Sequence, residues 1–210
     1  SEQFGGLAFI YGTLVTSFLA LLISAPISVL VALFLQEVCS RWLSNILGIL
    51  VEMIASIPSI VFGLWGLFFL VPFVRESIIP FLRASLGFLP LFQGMSFGLG
   101  YLTASIILAI MITPTITSMT REIFKTVPLH QKEAALALGS TRFEMIKLAV
   151  LSPSLSGITG AMVLGLGRAL GETLAVAMVI GNTPNISSSL FAPGATMASV
   201  IANEYAEASS

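Results

Sequence analysis

The stretch "VPLHQKEAALALGSTRFEMIKLAVLSPS", Val127–Ser154, is a polar island between two long apolar segments. Its residues spell two short helices. Pro128 suits the first turn of a helix, and Glu133, Ala134, Ala135, Leu136, Ala137 and Leu138 favour its continuation. Gly139 is placed to end it in a left-handed C-cap. Thr141 followed by Glu144 forms a capping box for a second short helix, which Pro153 helps to end. Ala134, Ala135 and Leu138 give the first helix a small, smooth apolar face on which a partner protein can dock. The rival reading is an amphipathic hairpin lying on a membrane surface.

The flanks of this stretch set the fold class. Of 210 residues 56% are hydrophobic and only 9% charged, with a mean hydropathy of +1.01. A soluble domain carries about 25% charged residues, so the chain reads as an all-α polytopic membrane protein with helical spans. Four apolar segments lie at about 7–36, 43–71, 101–119 and 157–181, with the polar loop at about 121–156. The first is about 45 Å long as a helix, longer than a hydrocarbon core of about 30 Å, so tilt or a kink is expected. Pro26, Pro58 and Pro114 are expected to kink the spans that contain them. Arg41, Arg121, Lys125, Lys132, Arg142 and Lys147 fall on one side, against Arg75 and Arg83 on the other. Six against two places the polar loop in the cytoplasm. Both ends then lie outside, and a further helix at each end would make six spans, so a chain truncated at both ends is expected.

Residues 76–100 are too apolar for a free loop and too broken by Pro and Gly for a span; an interfacial or re-entrant cap is expected. Trp42 and Tyr101 read as interfacial anchors. Cys39 is the single cysteine and the net charge is −1, which argues against an intrachain disulfide, a Cys-based metal cluster or a nucleic-acid surface. No G-x-x-x-x-G-K-[ST] cradle is present, so ATP binding by that route is not expected. His130 reads as a surface residue. Glu204 and Glu207 read as a solvated acidic end or a contact for an external protein. No cofactor or metal is expected, and no covalent chemistry.

The fourth segment, "GITGAMVLGLGRALGETLAVAMVIG", carries Arg168 and Glu172 amid apolar residues. Gly157, Ala161 and Gly165 are spaced by four, as are Gly167 and Gly171, a pattern that lets helix backbones approach closely. Arg168 lies about 16 Å along a helix from Gly157, near mid-membrane. Glu172, one turn on, is expected to pair with it. A mid-span arginine costs about 2.5–3.5 kcal/mol on insertion scales, and such charges mark pathways or relays. A guanidinium suits bidentate contact with a passing oxyanion, and Glu172 would limit how tightly that anion is held. The bland reading is a self-neutralised pair that packs subunits. Glu52, in "VEMIASIPS", either lines the same pathway or snorkels at the cytoplasmic end.

The Val127–Ser154 stretch resembles the EAA loop of binding-protein-dependent ABC importer permeases. Glu133, Ala134, Ala135, Gly139 and Leu151 match that pattern; Ala149 stands where Ile is usual, and Ser152 where Pro is usual. In that family the loop's first helix couples to a cytosolic ATPase. The stretches "GLGRALGETLAVAMVIGN", "SIPSIVFGLWGLFFLVP", "LGFLPLF" and "SLFAPGATMASVIANEYAEA" resemble phosphate-importer permeases of the PstC type. The resemblance implies an ABC importer type I (MetI-like) fold with four of six spans present. It also implies a PstA-like sister permease, PstB-like ATPases and an external PstS-like phosphate-binding protein, in a bacterial or archaeal cytoplasmic membrane. Permeases for molybdate or sulfate, a gradient-driven carrier and a membrane scaffold are the rivals.

Overall fold

The computed structural model describes residues 6–94 and 97–205, and Glu207 lies outside them. Among the described residues, and apart from a short 3-10 turn at Pro90–Phe92, the helices are α1 Leu7–Val38, α2 Arg41–Ala55, α3 Ser59–Leu86, α4 Tyr101–Lys125, α5 Leu129–Ala137, α6 Arg142–Leu170, α7 Leu174–Val179 and α8 Met197–Tyr205. No strand occurs among the described residues. Helices α1, α3, α4 and α6 are long and apolar enough to cross a membrane, which makes this a multi-pass membrane protein.

Helix α4 is the axis of the bundle, flanked by α1, α2 and α6. Its side chains Ile107, Leu108, Ile112 and Ile116 form the centre of the core with Val176, Val179 and Phe191. A ladder of small residues on α1 lets it lie close to α4: Ala8, Gly12, Thr16, Ala20, Ser24, Ser28 and Ala32, each four from the next, are all buried. The Ser28 hydroxyl donates across to the Thr113 carbonyl at 3.1 Å. Leu14, Phe18, Leu22 and Leu30 point the other way and stay exposed, as a lipid-facing surface requires. Pro26 and Pro114 sit inside helices that continue through them.

The second apolar segment, expected as one span over about 43–71, is instead two helices broken at Ser56–Pro58, and it is α3, running on to Leu86, that is long enough to cross. Pro58 ends one helix and caps the next rather than kinking a continuous one. Contacts along α4 order the pieces from the basic end to the other: Ser44 meets Arg121, Gly66 meets Ile107, and Val71 lies against Gly98. Because α3 runs on to Leu86, the first part of the expected cap at 76–100 is helix. Its remainder turns at Pro90–Phe92 and pairs with the 182–196 segment, where Leu190 N–H donates to the Leu91 carbonyl. That segment closes over the start of α4. Tyr101 is therefore fully buried and donates its hydroxyl to the Asn185 carbonyl, not an interfacial anchor; Trp42 is exposed.

The polar loop is shorter than its sequence reads. Helix α4 extends through Arg121 to Lys125, and the second loop helix is continuous with the fourth crossing. Pro153 does not end it, because a wider turn at Ile146–Leu151 precedes the proline and relieves its clash with the preceding turn. The fourth crossing, expected unbroken over 157–181, stops at Leu170 and restarts at Leu174.

Candidate translocation site and coupling surface

Two helix breaks meet around Arg168. The residue stands in the last turn of α6, and its side chain is half-buried. Nη1 donates to the Thr115 hydroxyl at 2.6 Å and Nη2 to the Ala55 carbonyl at 3.2 Å. Ala55 is the final residue of α2, and its carbonyl belongs to the negative end of that helix, a natural partner for a cation. Thr115 lies about 21 Å along α4 from Tyr101 and about 15 Å from Lys125, so Arg168 is held deep within the bundle.

The expected ion pair does not form. With α6 ending at Leu170, Gly171 and Thr173 leave the helical course, and Glu172 loses its one-turn register with Arg168. Glu172 instead accepts from the Ala175 N–H at 3.2 Å, capping the first turn of α7. Among the described residues the ion pairs are Lys125 with Glu122 and Lys132 with Glu37, so no carboxylate neutralises Arg168. A guanidinium carries five N–H donors, and two are engaged here. Arg168 lines a groove of about 620 Å³ with Thr115, Gly160, Val163, Leu164 and Gly167. Glu52 lies one turn before Ala55, about 16 Å along α2 from Arg41, with its side chain exposed. Its depth is that of the Arg168 site rather than of the basic end.

The two glycine rows separate. A Cβ at Gly157 would meet Ile123 at 2.9 Å and one at Gly165 would meet Ile116 at 2.6 Å, with Ala161 buried between them, so this row packs on α4. At Gly167 nothing lies within 4 Å, and at Gly171 only the Gly167 carbonyl does. That row packs on nothing among the described residues.

At the basic end, Leu129–Ala137 is helical with Pro128 as its N-cap, and Gly139 ends it with φ +85°, a left-handed conformation that disfavours a side chain. The Thr141–Glu144 capping box forms in both directions. The Thr141 N–H and hydroxyl, each 2.8 Å from Glu144 Oε2, hold the carboxyl below its ordinary range. Glu133, Ala134 and Leu138 are exposed, the last 89% so, whereas Ala135 turns partly onto the core. Leu129, Leu136 and Phe143 widen the exposed apolar surface, and His130 is exposed beside them. Glu37 ties the loop down: its Oε1 holds Lys132 Nζ at 2.6 Å and its carbonyl accepts from Arg142 at 2.7 Å.

Sequence reasoning missed Thr115 and Arg121. Thr115 is one hydroxyl among several on α4. Arg121 was counted with the loop charges, yet it lies within α4 and is 6% exposed. The four-residue ladder on α1 carried a visible signal.

The sequence matches, over residues 24–203, the family described as binding-protein-dependent transport system inner membrane component. It is 52% identical to the "Phosphate transport system permease protein PstC" of Xylella fastidiosa strain Temecula1, over 99% of this chain and 65% of that protein. Identity to the protein of the same name from Mesorhizobium japonicum is 48%, with the same coverage. To the "Probable phosphate transport system permease protein PstC" of Methanocaldococcus jannaschii it is 40%, over 99% of this chain and 66% of that one. The chain spans about 65% of the length of the first of these relatives. It belongs to the family of inner membrane components of binding-protein-dependent transport systems.

Proposed function

We propose that the chain is part of a permease subunit of an ATP-driven inorganic phosphate importer, set in the inner membrane. The full subunit would have six spans and assemble with a PstA-like sister, PstB-like ATPases and an external PstS-like binding protein. ATP hydrolysis resides in those ATPases, and this chain shapes the pathway and transmits movement. The names of the relatives support phosphate as the transported oxyanion.

The observation that carries this reading is Arg168: a deeply placed guanidinium, free of any carboxylate among the described residues, facing a groove with donors to spare. Discontinuous helices at membrane depth are the usual architecture of a transport site. Partners on the open face, where a Cβ at Gly160 or Gly167 would meet nothing within 4 Å among the described residues, would close the groove into a pathway. Movement of α5 and Gly139 under the ATPases would reach Arg168 through α6, which is one helix from Arg142 to Leu170. When α6 and α7 straighten into one helix, Glu172 returns to one turn from Arg168 and displaces the anion.

The test is phosphate uptake by cells or proteoliposomes carrying the full-length complex with Arg168→Ala. Uptake falls to background while the sister permease and ATPases still co-purify. Wild-type uptake in that variant would falsify the pathway assignment. Competition by sulfate or molybdate at phosphate-like concentrations would reassign the oxyanion, and uptake surviving loss of the ATPases would reassign the energy source.

A further inference from the structure

A second cationic site lies at the opposite depth. A cavity of about 770 Å³ opens at the basic end between α1, α2, α4 and the loop. Arg41, Arg121, Lys125, Lys132 and Arg142 line it, and Glu37 is the single acidic side chain among its walls. Lys132 is matched by Glu37 and Lys125 by Glu122, which leaves the three arginines without a carboxylate among the described residues. Arg142 donates to the Glu37 backbone carbonyl and leaves that residue's charge to Lys132.

Arg121 is the unusual member. It is 94% buried, yet its partners are all neutral: Nη2 donates to the Ser44 carbonyl at 3.0 Å, the Ser44 hydroxyl at 3.2 Å and Asn45 Oδ1 at 3.4 Å. Its Nε is buried with no hydrogen-bond partner. Packing holds it there, since a Cβ on Gly48 would lie 2.0 Å from Nη1. A buried cation with an idle donor is costly unless an anion completes it. The start of α2 adds to the field: the helix begins at Arg41 on the cavity wall, and its N-cap Ser40 makes no side-chain cap, so the positive end of a 15-residue helix faces the same space.

We propose that this cavity binds a phosphate group at the cytosolic boundary of the membrane, separately from the Arg168 site. Several arginine forks around one space match a polyvalent oxyanion. Free inorganic phosphate and the headgroup of an anionic lipid share this chemistry. Because Leu129 and Lys132 of the coupling helix form part of the wall, occupancy stiffens the seat of that helix.

The experiment uses the full-length permease–ATPase complex, prepared without the external binding protein and carrying Arg168→Ala, so that neither that protein nor the groove site contributes binding. In one arm it is held in phosphatidylcholine nanodiscs and titrated with radiolabelled inorganic phosphate. In the other it is held in phosphatidylglycerol nanodiscs in buffer free of inorganic phosphate, and the retained lipid is counted by native mass spectrometry. Saturable binding in either arm is expected, and the arm that responds names the source. Arg121→Lys weakens it about tenfold. Arg41→Gln, which leaves the bonds of Arg121 in place, weakens it about fivefold and guards against misfolding of the first variant. Binding in neither arm, or binding indifferent to Arg41→Gln in an assembled complex, overturns the proposal. So does a complex structure with an ATPase carboxylate filling the cavity.

Discussion

Arg168 donates to the carbonyl of Ala55 at 3.2 Å, and through that bond the end of α6 is fastened to the end of α2. Each helix stops where the other does, and each restarts within four residues, α3 at Ser59 and α7 at Leu174. Helices α3 and α7 then pack together, with Gly63 of α3 against Ala175 and Met178 of α7. The two interrupted crossings thus form one unit, with the guanidinium as its central fastener. Its role as anion receptor and its role as fastener compete for the same donors.

Thr115 tests that competition. Its hydroxyl accepts from Nη1 at 2.6 Å and fixes the direction of the fork. Thr115→Val keeps the shape and removes the acceptor. The half-saturating phosphate concentration is expected to shift about tenfold with assembly unchanged, as for loss of one bond to a charged group. Uptake kinetics on the intact complex check this, and unchanged kinetics would detach Thr115 from the site.

Glu172 gives a second, sharper outcome. Glu172→Gln keeps an oxygen able to accept from Ala175 N–H and removes the charge. Without a carboxylate to displace it, the anion leaves Arg168 slowly. The saturated uptake rate falls about tenfold while the half-saturating concentration also falls, the pattern of tightened ground-state binding. A raised half-saturating concentration would contradict the displacement step.

How far the sequence carries this picture depends on the interaction involved. Gly139 and the Thr141–Glu144 box were legible because caps are local: one residue's φ or a three-residue reach decides them. The apolar character of the second segment was legible from run length, but not that its spanning helix begins at Ser59 and runs on to Leu86. Its break was not, because Pro58 is compatible with either a kink or a stop, and only the Arg168 bond to Ala55 shows that a free carbonyl is satisfied from another helix. The Arg168–Glu172 pair failed for a related reason. Spacing predicts a neighbour only while the helix continues, and Gly171 and Thr173 leave it. Arg121 was misplaced because a charge near a span's end reads as loop, although Gly48 and Ser44 make room for it inside.

The two kinds of glycine on α6 predict opposite responses. Gly165→Leu drives a side chain into Ile116, where even a Cβ would lie 2.6 Å away. Overpacking of this kind costs about 1–3 kcal/mol, and a lower melting temperature of the purified complex is expected. Gly160→Ala meets nothing within 4 Å among the described residues and should leave the chain's own fold unaltered. Loss of the sister permease from the Gly160→Ala complex would mark that face as the subunit contact.

The capping box makes the loop acid-sensitive in one direction. Glu144 titrates below its ordinary value of 4.5 because the Thr141 N–H, then its hydroxyl, bond to the charged carboxylate. A group whose folded-state pKa is depressed contributes its stabilisation in full above the unfolded value. That contribution is lost as the pH falls through the lower folded value. The start of α6 is therefore firm at neutral pH and loosens only below about 4.5, with no change between pH 6 and 8. Hydrogen exchange of the peptide covering Thr141–Met145, normalised to the same peptide in Glu144→Gln, reads this directly. The glutamine keeps an acceptor but has no titrating group, so the ratio of the two exchange rates should be flat above 4.5 and rise below it. A ratio that changes through the neutral range instead would place the controlling proton on another residue.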